Sequence, residues 1–159
     1  MSIDWEARAV SAEHAVSHIH SGMNVFIHGA AATPTPLLDA LAQRDVENIA
    51  TYHIHLDGHV AITDPGMEER FHPTAFFIGP NMRGPVNEGR ADFMPVFLSD
   101  IPQLFKSGRV PLDVAILHLS PPDKHGYCTL GISVDTAVAA SRCARVLIAE
   151  INDQMPRTH

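Results

Sequence analysis

Cysteine is nearly absent: Cys128 and Cys143 are the only two, with fourteen residues between them. Outside any C-x-x-C pairing, they indicate neither a disulfide framework nor a zinc knuckle, and fit a reducing, cytoplasmic compartment. Basic residues are also scarce, 11 Lys and Arg against 18 Asp and Glu for a formal net charge of −7. Spread this thinly, they form no patch for duplex nucleic acid or an anionic membrane, so neither is an expected partner. A small anion stays open, because a few backbone amides and one Arg suffice to hold it. No stretch approaches the ~18 consecutive apolar residues of a membrane span. The opening Met1-Ser2-Ile3-Asp4-Trp5-Glu6 lacks a basic region followed by an apolar core, so a soluble, unexported protein is expected. Internal repeats and low-complexity linkers are missing too. What remains is 159 residues at 45% hydrophobic and 18% charged. That is enough for a single globular domain, 1–159, burying roughly 70% of its unfolded surface.

The stretch 24–38 carries the strongest local signal. Asn24-Val25-Phe26-Ile27-His28 is a short β-prone run, Gly29-Ala30-Ala31-Ala32 a small-residue turn, and Thr33-Pro34-Thr35-Pro36 leads into Leu37, Leu38, Leu41 and Ala42 at helical spacing. Strand, tight turn and helix N-terminus follow from this pattern, and such a turn favours anions. Before it, Ala12, Ala15, Val16 and Ile19 share a helical face between the N-cap candidate Ser11 and Gly22. After it, strands are predicted at 49–56, 75–78, 94–98, 112–117 and 145–151, with helices at 101–106 and from 136 to about 144. Gly84-Pro85 interrupts any long helix between the strands at 75–78 and 94–98. Strands alternating with short helices predict an α/β fold with an open, mainly parallel sheet and helices on both faces. The chain then leaves its last strand at Asn152 with no terminal helix, which reads as an interrupted chain.

In an open parallel sheet, ligands bind beyond the carboxyl ends of the strands. Three loops leave such ends with distinctive chemistry: 28–36, 79–87 and 120–127. The first is explained equally well as a tight strand-to-helix turn. In Ser120-Pro121-Pro122-Asp123-Lys124-His125-Gly126-Tyr127-Cys128, turn chemistry explains the prolines, Asp123 and Gly126 but not the pairing with His125, which favours substrate contact. Eleven histidines raise a metal site, through His53, His55 and His59 or His14 and His18. Without carboxylate or cysteine ligands at fixed spacing, satisfied or solvent-facing histidines are the better reading, and no metal is expected. Glu88 has the chemistry of a carboxylate nucleophile, but Arg90 two residues away makes a structural ion pair the preferred role.

The order of motifs adds a further reading. Gly29-Ala30-Ala31-Ala32-Thr33-Pro34, Asn87-Glu88-Gly89-Arg90-Ala91-Asp92-Phe93-Met94-Pro95-Val96-Phe97-Leu98-Ser99, Pro111-Leu112-Asp113-Val114-Ala115, Ser120 to Gly131 and Glu150-Ile151-Asn152-Asp153-Gln154-Met155-Pro156-Arg157-Thr158-His159 resemble the N-terminal domain of the acetyl-CoA hydrolase/transferase family, which includes 4-hydroxybutyrate and butyryl CoA-transferases. The resemblance implies a two-domain enzyme that transfers coenzyme A, as substrate, between a short-chain acyl-CoA and a carboxylate through a glutamyl-CoA intermediate. The nucleophilic glutamate and a glycine-rich oxyanion segment lie in the family's C-terminal half, and neither has a counterpart here. Glu88 and Glu150 do not occupy the nucleophile's place. No catalytic residue is therefore expected in this chain, which alone should be inactive without a complementary C-terminal half or subunit in a homo- or hetero-oligomer. The resemblance makes His28, Gly29, Ala30, Thr33, Pro34, Asn81, Asn87, Ser120, Pro121, Asp123, His125 and Gly126 the residues facing substrate, with 29–36 as a small-residue floor. The alternative is a non-catalytic carboxylate- or acyl-CoA-binding module of the same fold.

Overall fold

The computed structural model describes residues 4–158; residues 1–3 of the opening segment and His159, the end of the last family stretch, lie outside the described residues. Six strands form one sheet in the order β4-β3-β2-β1-β5-β6, with every neighbouring pair parallel. The strands are β1 (Asn24–Ile27), β2 (Ile49–His53), β3 (Phe71–Ala75), β4 (Asp92–Phe93), β5 (Val114–Leu119) and β6 (Val146–Ile151). The helices are α1 (Ala12–Val16), α2 (Thr35–Ala42), α3 (Arg83–Asn87), α4 (Ile101–Lys106) and α5 (Ala137–Cys143).

Alternation along the strands builds a core on each face of the sheet. Val25 and Ile27 of β1 join Val114, Ile116 and Ile148 beneath Val16 of α1 and Leu38 and Leu41 of α2. Phe26 points the other way, to Ala115, Leu117, Ile101 and Phe105 of α4 and Ala140 of α5. Its ring meets that of Phe105 edge-on with centroids 5.7 Å apart. β5 is buried on both faces from Val114 to His118, as its apolar run predicts. The α/β sheet with helices on both faces is thus the observed architecture.

Several boundaries differ from expectation, each for a local reason. α1 stops at Val16 and not near His20, because the Ser17 hydroxyl donates to the His14 carbonyl (2.7 Å) and the Ile19 amide tightens onto Val16. β2 ends at His53 because the chain beyond it turns to meet the loop after β1, where the Ala30 amide donates to the His55 carbonyl (2.9 Å). The third strand is Phe71–Ala75, upstream of the predicted 75–78, and contains Pro73. β4 pairs only with Thr74 and Ala75, so the edge beside Pro73 has no strand to receive a donor and its missing N–H costs nothing. β4 itself is the pair Asp92–Phe93 and not 94–98: the Met94 amide makes the last bond to β3, to the Ala75 carbonyl (3.0 Å), and the chain after it leaves the sheet for the turn that precedes α4.

Candidate functional site

The sheet order reverses between β1 and β5. From β1 the chain moves through α2 to β2 on one side, and from β5 through α5 to β6 on the other. That is the switch point at which open parallel sheets hold ligands. Because all strands run parallel, the loops at 28–34, 54–60, 76–82, 94–100, 120–133 and 152–158 all leave the same edge.

The loops after β1, β2 and β3 are bound to one another. A side chain on Gly29 would place its Cβ 2.4 Å from the His55 carbonyl oxygen, and Ala30 beside it takes the left-handed conformation (φ 53°). Thr33 Oγ1 donates to the Ala30 carbonyl (2.7 Å) and accepts the Asp57 amide (3.0 Å), and the Pro34 carbonyl accepts the Leu37 and Leu38 amides of α2 (both 3.1 Å). Asn81 Nδ2 donates to the carbonyls of Leu56 (2.6 Å) and Gly58 (3.1 Å), while its Oδ1 is buried without a partner. Asn87 is exposed at the end of α3, and its side chain takes part in none of these bonds.

A second group joins the loops after β5 and β6. Ser120 is buried, and its Oγ accepts the amide (2.9 Å) and hydroxyl (3.1 Å) of Thr129. Asp123 Oδ1 accepts the amides of His125 (2.8 Å) and Tyr127 (2.9 Å), and Oδ2 pairs with Arg157 Nη2 at 3.0 Å. The Tyr127 amide above all, with the His125 amide and the Arg157 charge, holds the Asp123 carboxyl below its ordinary value against the opposing effect of burial. Arg157 Nη1 also donates to the carbonyls of Tyr127 (3.0 Å) and Pro121 (3.3 Å). Gly126 supplies the positive φ (88°) of this turn, and the His125 residue is exposed.

His28 connects the two groups. Its ring is fully buried; Nε2 bonds to the Ser133 carbonyl, and Nδ1 accepts the His118 amide at 3.2 Å. Both contacts fit the tautomer with its proton on Nε2. Burial is the main cause that holds this imidazole below its ordinary value, opposed by the Ser133 carbonyl and the Asp135 charge. Beneath it, His118 Nε2 accepts from Asn152 Nδ2 (3.0 Å) and lies 3.7 Å from Glu150 Oε1. The Asn152 orientation is fixed because its Oδ1 accepts the Gln154 amide (2.9 Å).

Sequence reasoning missed His118, Ser133, Asn152 and Arg157 as partners of the predicted residues. The available signal was a histidine inside the apolar run of β5, four residues after Val114, placed by alternation on the face of Ile116. The other candidates sort simply. Glu88 pairs with Arg90 (2.9 Å to Nε), the preferred structural role. His59 pairs with Asp64 (2.8 Å), and among the described residues no group of three His, Cys, Asp or Glu is placed to hold a metal. A cavity of about 720 Å³ runs along β6, touched by Pro36 from the first predicted loop and Pro122 and Gly126 from the third. It is therefore offset from the switch point. Phe77, Phe97, Leu98, Tyr127, Ile132 and Val134 stand exposed on the loops of the carboxyl edge.

The family profile of the acetyl-CoA hydrolase/transferase N-terminal domain matches residues 2–159. A succinyl-CoA:acetate/propanoyl-CoA:succinate CoA transferase of Fasciola hepatica is 42% identical over 154 residues, covering 94% of this chain and 32% of its own length. The 4-hydroxybutyrate coenzyme A transferase of Clostridium kluyveri is 39% identical over 162 residues, covering 98% of this chain and 38% of its own. Among solved structures, RipA from Yersinia pestis superposes with a TM-score of 0.87 at 29% identity, covering 94% of this chain and 38% of that one. The chain spans about a third of the length of the curated relatives it matches. By its profile match and its sheet, the chain belongs to the acetyl-CoA hydrolase/transferase N-terminal domain family.

Proposed function

We propose that this chain forms the N-terminal part of a cytoplasmic, oligomeric CoA-transferase that exchanges coenzyme A between a short-chain acyl-CoA and a carboxylate. The observation that carries this is the match to two named CoA transferases across 94% and 98% of the chain. The nucleophilic glutamate belongs to a complementary C-terminal part. Its carboxylate attacks the thioester carbonyl and expels the CoA thiolate; the thiolate then attacks the glutamyl carbonyl of the anhydride, releases the first carboxylate and leaves glutamyl-CoA. A second carboxylate reverses both steps. This chain contributes one wall of the cleft, with the loops at 28–36, 79–88 and 120–127 facing the acyl group and carboxylate and the exposed apolar residues of that edge covered by the other part.

CoA exchange between acetyl-CoA and propionate tests the assignment. The chain alone is expected to give no turnover, and the chain with the C-terminal part of the Clostridium kluyveri relative to give turnover. No exchange with that part, beside an active intact relative, overturns it. Saturable binding of acetyl-CoA without turnover in every combination assigns a binding module instead.

A further inference from the structure

The stretch 150–159 carries part of the family resemblance, yet none of its residues is expected to face substrate. Its part beyond β6, 152–158, lies against the loop after β5. That loop has little else to hold it. Ser120 and Gly131 at its ends are buried, but among the described residues none from Pro121 to Leu130 is. Two prolines limit its conformations without choosing where it stands against the sheet. The segment 152–158 makes that choice. Met155 is buried, and its thioether occupies the place that a side chain on Gly131 would take. Two residues on, the Arg157 guanidinium reaches three acceptors at the neck of the loop. Nη1 donates to the carbonyls of Pro121 on the entry limb (3.3 Å) and Tyr127 on the exit limb (3.0 Å), and Nη2 to Asp123 Oδ2 (3.0 Å). Thr158 completes the contact: its amide donates to Thr129 Oγ1 (3.3 Å) and its hydroxyl to the Gly131 carbonyl (3.2 Å). One planar cation thus joins both limbs and the carboxylate between them. A lysine ammonium, a single point of charge on a flexible stem, has no matching fork.

We infer that Arg157 is a positioning residue: by tying Pro121 to Tyr127 it sets where the wall at 120–127 stands in the cleft, and thereby which carboxylates fit against it. This deepens the proposed CoA exchange and rests on it. Arg157 acts through the loop and not on the substrate. With side chains 34% and 28% exposed, the Arg157–Asp123 pair is partly screened and adds little to the stability of the whole fold, so its effect falls on the loop.

Amide hydrogen exchange on the chain alone and CoA exchange by a single polypeptide, joining it to the C-terminal part of the Clostridium kluyveri relative, test this together. The Asp123 and Thr129 amides bond within the loop, to the Tyr127 carbonyl and to Ser120 Oγ (both 2.9 Å). In the chain alone, Arg157→Ala is expected to speed exchange at these two by about tenfold, while Val114 to Leu117 of β5 keep their protection. Arg157→Lys is expected to give most of the same increase, because it keeps the charge and loses the fork. In the joined polypeptide, with acetyl-CoA as donor, both variants are expected to lower the ratio of kcat/KM for propionate to that for hexanoate at least about fivefold, since a looser wall admits the longer chain. A role in stability alone lowers both substrates alike and leaves the ratio where it was. Unchanged exchange at Asp123 and Thr129 overturns the inference, and so does an unchanged ratio in a variant whose loop exchanges faster. A native joined polypeptide without turnover counts against CoA transfer, and the amide exchange of the chain alone then decides whether Arg157 holds the wall.

Discussion

At Gly29 the place of a side chain is already occupied by the His55 carbonyl, 2.4 Å from where a Cβ would stand. The sequence shows that a small residue is needed there but not against what, and the ligand-facing floor is only one of two reasons for it. Gly29→Ala should separate the loops after β1 and β2 and break the Ala30 to His55 bond, costing roughly 1–3 kcal/mol, more than the ~0.5–1 kcal/mol gained by removing a glycine from the unfolded chain. A lower urea midpoint at unchanged slope checks this. His53 is the opposite case, a large polar side chain with nothing to hold. It is fully buried and neither ring nitrogen has a partner. Replacing it by an apolar residue of similar size removes two unsatisfied groups, so His53→Leu is expected to raise the unfolding free energy by about 1–2 kcal/mol in the same measurement at pH 7.

The elements themselves were largely legible. β1, β5, β6, α4 and α5 announce themselves by apolar period, caps and glycines, whereas β3 was hidden by Pro73, whose cost vanishes only because β4 is too short to reach it. The candidate loops were equally legible, since they must follow strand ends. Their wiring was not, because it joins residues far apart in sequence: Arg157 reaches Asp123 across 34 positions, and His28 reaches Ser133 across 105. Asp123 shows what that hides. Turn chemistry already explains an Asp between prolines and a glycine, and its Oδ1 does organise that turn; what the sequence hides is that Oδ2 also holds the segment after β6 through Arg157. Asp123→Ala should raise amide exchange at His125 and Tyr127 by about tenfold and release Arg157. Asp123→Asn, which keeps the Oδ1 acceptor, should restore the two amides but not the ion pair. Equal exchange in both variants would show that the prolines and Gly126 shape this turn without the carboxylate.

For the molecule as a whole, two buried imidazoles set the response to acid. His53 is pushed down to about 3, first by burial and then by the charge of His55, and His28 is lowered mainly by burial. Below the ordinary histidine value of ~6.5 the unfolded chain takes up protons that these folded rings refuse. The unfolded state therefore binds more protons, and stability falls as pH falls, by at most about 1.4 kcal/mol per pH unit for each ring. Glu13, Glu68 and Asp123 are lowered carboxylates, so they are ionised in both states above pH ~5 and contribute only in stronger acid. The interval from pH 7 to 5 thus belongs to histidine. For His53 alone the loss across it comes to about 2 kcal/mol, with His28 adding in the same direction. The chain has eleven histidines, and a difference between two proteins that share ten of them isolates the contribution of the eleventh. Urea unfolding of the native chain and His53→Leu at pH 7, 6 and 5 should show two curves that diverge as the pH falls, the variant losing about 2 kcal/mol less by pH 5. Parallel curves would mean that the folded protein opens a path for water or a proton to His53, and that this ring is not the acid-sensitive point of the fold.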